Sequence, residues 1–401
     1  MASPRSMFLC LTACVFLLTV VMLWSKIILH LSIAVPPRST KAVFKYHRPV
    51  LRKEGKLFSR PLLSTLSSTK ALVPSPINAH AKCKEKRHVI YVRIPKTGSS
   101  TMTHLMWRFG NQRGLRFLLP RPGFEGSENK LSLNKFYLPN SRKYCDLMAN
   151  HVIYDYANFK RYFPADVVYI SLLREPMNQL YSTIYYLNFN IQGDNKVKNY
   201  LLKPEKYEPK SGSRSLTHNP MMSYFGLAPS YFRNVDKIRQ KIAEIDEKFA
   251  MVLVLEKLDE SLVLLKRKLC WTTNDILYMI KNKNWKKPVV NITDEDYKRL
   301  KNWSMADYIL YEHFLGKLQR SIETEGEDFQ QELSLFRSIK RQFKEFCQRG
   351  NSNQTLTIAS SKFSASFKVP YRNCQRLASR GPLVLDDIRR QQKLKNFCNS
   401  K

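Results

Sequence analysis

In the stretch VIYVRIPKTGSST, from Val89 to Thr101, a strand-like apolar run ends in Lys96, Thr97, Gly98, Ser99, Ser100 and Thr101. A helix beginning near Gly98 leaves its first backbone N–H groups without intrahelical partners, facing back toward the strand end. Together with the positive end of that helix and Lys96, they form a cradle for an anion. The hydroxyls add donors without bulk, and Gly98 lets the backbone approach the anion closely. The order is not the Walker one, in which Lys follows the second Gly, because here Lys96 precedes Gly98. A plainer reading of the same residues is an ordinary N-cap at Thr97 or Ser99 beside a solvated Lys96.

A second group, SLLREPMNQLYS, places Arg174 just past another apolar run and Ser182 about two helical turns further on. A planar guanidinium suits a phosphate, and Ser182 supplies one more donor. Two anion sites at the ends of neighbouring strands fit a ligand with separated anionic groups. The competing role for Arg174 is a surface ion pair with Glu175.

The elements that must hold these residues are legible around them. VIYVRI, VVYISLL from Val167 and MVLVLE from Met251 are short apolar runs rich in β-branched residues, the pattern of strands covered on both faces. After the first, Met102, Leu105, Met106 and Phe109 make one apolar helical face; after the second, Leu180, Ile184 and Leu187 do the same. Strand, tight loop and helix, repeated, predict an α/β fold with a parallel sheet flanked by helices. The segment Lys203 to Ser215 is polar with Pro and Gly and is expected to be a surface loop. Beyond about Gly350 a basic, weakly structured extension is expected.

The amino end carries an uncharged run from Met7 to Trp24, about the length a bilayer-spanning helix needs, so a single-pass N-terminal membrane anchor is expected. A Pro-, Ser- and Lys-rich stretch follows and reads as an extended stem. The flanking charges, Arg5 before the run and Lys26, Arg38, Lys41 and Lys45 after it, point the carboxyl part toward the cytoplasm. The sequons at Asn291, Asn302 and Asn353 point toward a lumen, where they would be glycosylated. So do six cysteines beyond the anchor, Cys83, Cys145, Cys270, Cys347, Cys374 and Cys398, whose pairing the sequence does not fix. A formal charge of +35 implies anionic partners, and a secretory-pathway anchor makes nucleic acid the weakest of them.

PKTGSST and LLREPMNQLYS resemble the 5′-phosphosulfate loop and 3′-phosphate motif of Golgi sulfotransferases that use PAPS (3′-phosphoadenosine 5′-phosphosulfate). EKLDESLVLLKRKLCW, from Glu256, and WSMADYILYEHF, from Trp303, resemble the galactose-3-O-sulfotransferase family. The similarity runs from about His88 to Cys347. It implies a P-loop-like α/β sulfotransferase fold, with Lys96 to Thr101 on the 5′-phosphosulfate and Arg174 and Ser182 on the 3′-phosphate. It also implies PAPS as sulfuryl donor, a galactose-terminated glycolipid or glycan as acceptor, and a type II Golgi membrane glycoprotein with a lumenal catalytic domain. The expected organisation is a cytoplasmic tail over 1–6, a signal-anchor over 7–29, a stem over 30–86, the sulfotransferase domain over 87–350 and an extension over 351–401.

One position departs from that family, whose members typically carry His before the loop Lys, where this chain has Pro95. RIPKT is in that detail more similar to the uronosyl 2-O-sulfotransferases, whose base is a His in a downstream His-Val segment. Here MANHVIYD supplies His151 before Val152, so His151 becomes the candidate general base and Lys96 the candidate stabiliser of the leaving group. His104 and Glu256 compete for the role of base. No His/Cys/Asp cluster has metal-ligand spacing, so no tightly bound metal is expected. A uronosyl-type acceptor on a glycosaminoglycan, and a glycan-binding descendant without catalysis, remain the alternatives.

Overall fold

The computed structural model describes residues 83–124, 131–132, 134–137, 144–209, 214–280, 290–379 and 381–392. All lie within one compact unit, Asn78–Lys401. The expected tail, membrane anchor and most of the stem lie outside the described residues, as does Cys398. Among the described residues no helix is long and apolar enough to cross a membrane.

Eight strands occur among the described residues: β1 Val89–Val92, β2 Leu119–Pro120, β3 Phe136–Tyr137, β4 Leu147–Met148, β5 Val168–Leu173, β6 Phe249–Val254, β7 Thr355–Ile358 and β8 Phe367–Pro370. Four of them form a parallel sheet in the order β4-β1-β5-β6. The three predicted strands are β1, β5 and β6. The fourth, β4, is only two residues long and gave no periodic signal in the sequence. Every residue of β1 is fully buried, which explains its unbroken apolar character: helices cover both faces of a parallel sheet.

From β1 the chain goes to β4 on one side and then returns to β5 on the other. The carboxyl end of β1 is therefore a topological switch point, where adjacent connections diverge and leave a crevice.

The helix Ser99–Gln112 follows β1 and buries Met102, Leu105, Met106 and Phe109 completely, as their spacing predicts. Pro176–Tyr186 follows β5 and buries Leu180 and Ile184, but Leu187 terminates it and is 44% exposed. The predicted three-residue face is thus one residue too long, because the helix ends at Tyr186. Within Lys203 to Ser215 a short turn of 3-10 helix, Pro204–Tyr207, precedes Glu208, which accepts from Tyr200 Oη at 2.8 Å and Thr217 Oγ1 at 2.5 Å. Residues 210–213 of that loop lie outside the described residues.

The carboxyl-terminal segment differs from expectation. It forms the antiparallel pair β7 and β8 and the helices Tyr371–Ala378 and Gly381–Gln391. Cys374, Leu377, Leu385 and Ile388 from these elements are buried in the main core. A disulfide ties Cys374 to Cys347 near the end of the long helix Met305–Arg349, and a second joins Cys83 to Cys270. Its high basic content hid a sparse apolar face, enough to dock when a disulfide and a neighbouring core supply the rest.

Candidate active site

The four parallel strands deliver the sequence-predicted chemistry to one edge of the sheet. Lys96 follows β1, His151 follows β4, Arg174 follows β5 and Glu256 follows β6, all at carboxyl ends. The loop after β1 is held in an uncommon conformation, with Lys96 at φ 63° and Gly98 at φ 85°. Left-handed residues alternating with right-handed ones are the backbone pattern from which anion-binding nests are built. The backbone conformation at Gly98 strains any L side chain, and a Cβ there would lie 2.6 Å from Leu255 Cδ1, so the Leu255 side chain would have to move.

Neither Thr97 nor Ser99 caps the helix; the N-cap is Gly98, which has no side chain. Thr97 is fully buried and its Oγ1 donates to the Ile94 carbonyl at 3.0 Å, so this hydroxyl is taken up in stabilising the turn. Ser99 and Thr101 are buried and Ser100 is half-buried at the start of the helix.

Arg174 Nη1 donates to the Lys96 carbonyl at 3.1 Å, which ties the two motifs directly. The competing pairing of Arg174 with Glu175 gives way to a different use of the carboxylate. Glu175 accepts from the Met177 and Asn178 N–H groups at 2.9 and 2.7 Å, capping the helix Pro176–Tyr186. Ser182 is buried within that helix, and among the described residues no hydrogen bond ties it to Arg174.

Glu256 has a structural setting. Its Oε1 accepts the Glu175 N–H at 3.1 Å and its Oε2 the Tyr311 hydroxyl at 3.2 Å. Burial pushes its carboxyl up, opposed by backbone N–H groups, the Arg174 charge and Tyr311. His104 is buried against Trp107, ring centroids 5.3 Å apart, in a recess that it shares with Arg376, Leu377 and Ile388 of the carboxyl-terminal helices. That recess removes His104 from the loop end of its helix.

His151 remains. Its Nδ1 lies 3.0 Å from the Arg93 carbonyl. A carbonyl only accepts, so Nδ1 carries the hydrogen and Nε2 of the neutral ring keeps its lone pair. Burial holds the imidazole well below its ordinary pKa; the Arg93 charge lowers it further, the bond to the carbonyl opposes, and Lys96 adds to the depression. A neutral ring with an unprotonated Nε2, electrostatically coupled to Lys96, has the protonation state a general base needs.

Sequence reasoning missed two residues here. Arg93 breaks an otherwise apolar run, which was the available signal. Burial lowers its guanidinium pKa, and the side chains acting on that charge are Tyr91, Tyr224 and Tyr186, with no carboxylate among them. Arg93 Nε and the hydroxyl of fully buried Tyr91 have no hydrogen-bond partner among the described residues. The other is Tyr186, whose ring centroid lies 3.1 Å from Lys96 Nζ. A contact of this type at an exposed site contributes about 0.5–1 kcal/mol. Nothing local in the sequence marks it. Among the described residues no group of three or more His, Cys, Asp or Glu is arranged to hold a metal ion.

A family model described as Galactose-3-O-sulfotransferase matches residues 50–366. The chain belongs to the galactose-3-O-sulfotransferase family. It is therefore a sulfotransferase, and its cradle lies within the matched region. Human (Homo sapiens) galactosylceramide sulfotransferase is 28% identical over 321 residues, covering 76% of this chain and 75% of that protein. Mouse (Mus musculus) galactose-3-O-sulfotransferase 2 is 28% identical over 287 residues, 67% of this chain and 72% of its own length. The human galactose-3-O-sulfotransferase 2 is 29% identical over 275 residues, 65% and 68% respectively.

Proposed function

We propose that this family member transfers a sulfuryl group from PAPS to O-3 of a galactose on a glycolipid or glycoprotein glycan. The observation that carries the reading is the bond from Arg174 to the Lys96 carbonyl, because it joins two cationic motifs at the switch point of the sheet. A donor with a 5′-phosphosulfate and a 3′-phosphate has anions at two separated positions. The Lys96 to Thr101 loop receives the first and Arg174, with Ser182, the second.

In the transfer, the S–O bond to the acceptor hydroxyl forms as the bond from sulfur to the phosphate oxygen breaks, releasing the nucleotide bisphosphate. His151 Nε2 takes the hydroxyl proton. Lys96 and the N-terminal N–H groups of the loop helix stabilise the charge that grows on the departing oxygen, which is where fixed donors contribute most. Pro95 has no proton-accepting atom, so the base comes from the strand beside β1 rather than from the loop.

A second reading, an acidic-sugar acceptor, is favoured by Arg93, whose charge acts on His151 and is itself acted on by the phenols of Tyr91, Tyr224 and Tyr186. Incubation with labelled PAPS and a panel of β-galactosides, galactolipids and uronic-acid polymers tests both readings. Label on galactose O-3 supports the first, label on a uronic acid the second, and no label on any acceptor despite nucleotide binding overturns both.

We further propose a type II orientation in the Golgi membrane, with the sulfotransferase domain lumenal. Support comes from the uncharged run after Met7, the two disulfides, and the exposure of Asn291, Asn302 and Asn353.

A further inference from the structure

Both ends of Lys96 are engaged by one segment, the turn and helix that follow β5. Arg174 at its start bonds the Lys96 carbonyl, and Tyr186 at its end places its ring under the Lys96 ammonium. Tyr186 is 60% exposed, so core packing does not account for its position. Its neighbours Tyr181 and Tyr185 pack on each other, with centroids 4.7 Å apart. A lysine side chain has many rotamers to lose when it binds an anion, and it has three N–H donors. A ring against one side of the ammonium restricts the stem and fixes the direction of the charge.

We propose that Tyr186 is a positioning residue for Lys96: its ring holds the ammonium at the mouth of the loop, oriented to meet the sulfonate end of the donor. The proposal rests on the sulfotransferase reading above. It makes the aromatic face, rather than the phenolic hydroxyl, the working part of Tyr186, because the attraction is to the ring quadrupole.

The test uses the full chain carrying Tyr186→Phe, Tyr186→Trp or Tyr186→Leu. The first measurement is the rate at which an amine-acylating reagent modifies Lys96, followed by peptide mass spectrometry. The ring stabilises the charged ammonium, so Tyr186→Leu is expected to speed acylation about 2- to 5-fold, while Phe and Trp leave it unchanged. The second measurement is turnover with PAPS. Tyr186→Leu is expected to lower kcat about 2- to 5-fold, with both aromatic variants retaining activity.

A double-variant cycle supplies the third measurement: in a Lys96→Ala background, Tyr186→Leu should change kcat no further. An unchanged acylation rate or kcat in Tyr186→Leu, a Phe variant as impaired as the Leu variant, or an undiminished effect without Lys96 overturns the proposal. Failure of the functional reading is separable. It would appear as no calorimetric binding of the nucleotide bisphosphate by the wild type, with the acylation series still reporting on the ring contact.

Discussion

The Arg174 guanidinium holds the Lys96 carbonyl at 3.1 Å, so the residue expected to bind one end of the donor also fixes the loop expected to bind the other. Arg174→Ala should weaken binding of the nucleotide bisphosphate by about 1.5–3 kcal/mol, the range for hydrogen bonds to charged groups. Because the loop loses a support, kcat should fall as well. Calorimetric titration that finds equal affinity in variant and wild type would remove Arg174 from the donor site.

His151→Ala should lower kcat by roughly 10² to 10⁴ with nucleotide affinity near normal, as expected for loss of a general base. The pH dependence follows from the direction of its pKa. The ring must be neutral to accept a proton, and burial with Arg93 holds its pKa well below 6.5. Activity should therefore persist through mildly acidic pH and decline only below the ordinary histidine range. Stability should show the same sign: the unfolded chain binds the extra proton first, so this contribution is present above about pH 6.5 and is lost as pH falls toward the folded pKa. A kcat/KM profile with an acidic limb at or above pH 6.5 that survives in His151→Ala would exclude His151.

Gly98→Ala should cost about 1–3 kcal/mol, since φ of 85° strains any L side chain and the new Cβ meets Leu255. Relief of that strain shifts the loop, so nucleotide binding should weaken more than thermal stability. Chemical denaturation beside calorimetry measures the two separately, and full nucleotide affinity in this variant would show that loop geometry is not what binds.

The Cys347–Cys374 bridge closes a loop of sequence separation 27 and anchors the carboxyl-terminal elements to the long helix. Cys374→Ser should destabilise the folded domain by about 2–4 kcal/mol. Limited proteolysis should then cut first between the long helix and Gly381–Gln391, whose Leu385 and Ile388 depend on that docking. Wild-type melting and protease resistance would mean that the apolar contacts suffice.

Expressed in animal cells, the protein should stay with membranes after carbonate washing and shift in gel mobility on removal of N-glycans. Asn291, Asn302 and Asn353 are all solvent-exposed, so acceptor access is not limiting in the fold. Absence of N-glycan together with digestion of the carboxyl part by protease outside intact vesicles would reverse the proposed orientation.

The sequence by itself determined the strands and helices of the parallel α/β core and the composition of the loop proposed to hold the donor, because both are local. Unbroken β-branched runs specify strands buried on two faces, and Lys96, Gly98 and the hydroxyls are neighbours in the chain. It also carried enough family pattern to name the galactose-3-O-sulfotransferases.

What it could not decide was which distant residues meet. The strand β4 is two residues long, too short for a period, yet it sets His151 beside Arg93. On paper Glu175 was free to pair with Arg174 and Glu256 to serve as base; helix capping took the first, and Glu256 came to accept the Glu175 N–H. The ring of Tyr186, on the last residue of the helix after β5, meets Lys96 from a distant part of the chain. Contacts of this kind depend on the strand order β4-β1-β5-β6, a global property that emerges when the whole core packs, and no window of local sequence encodes it.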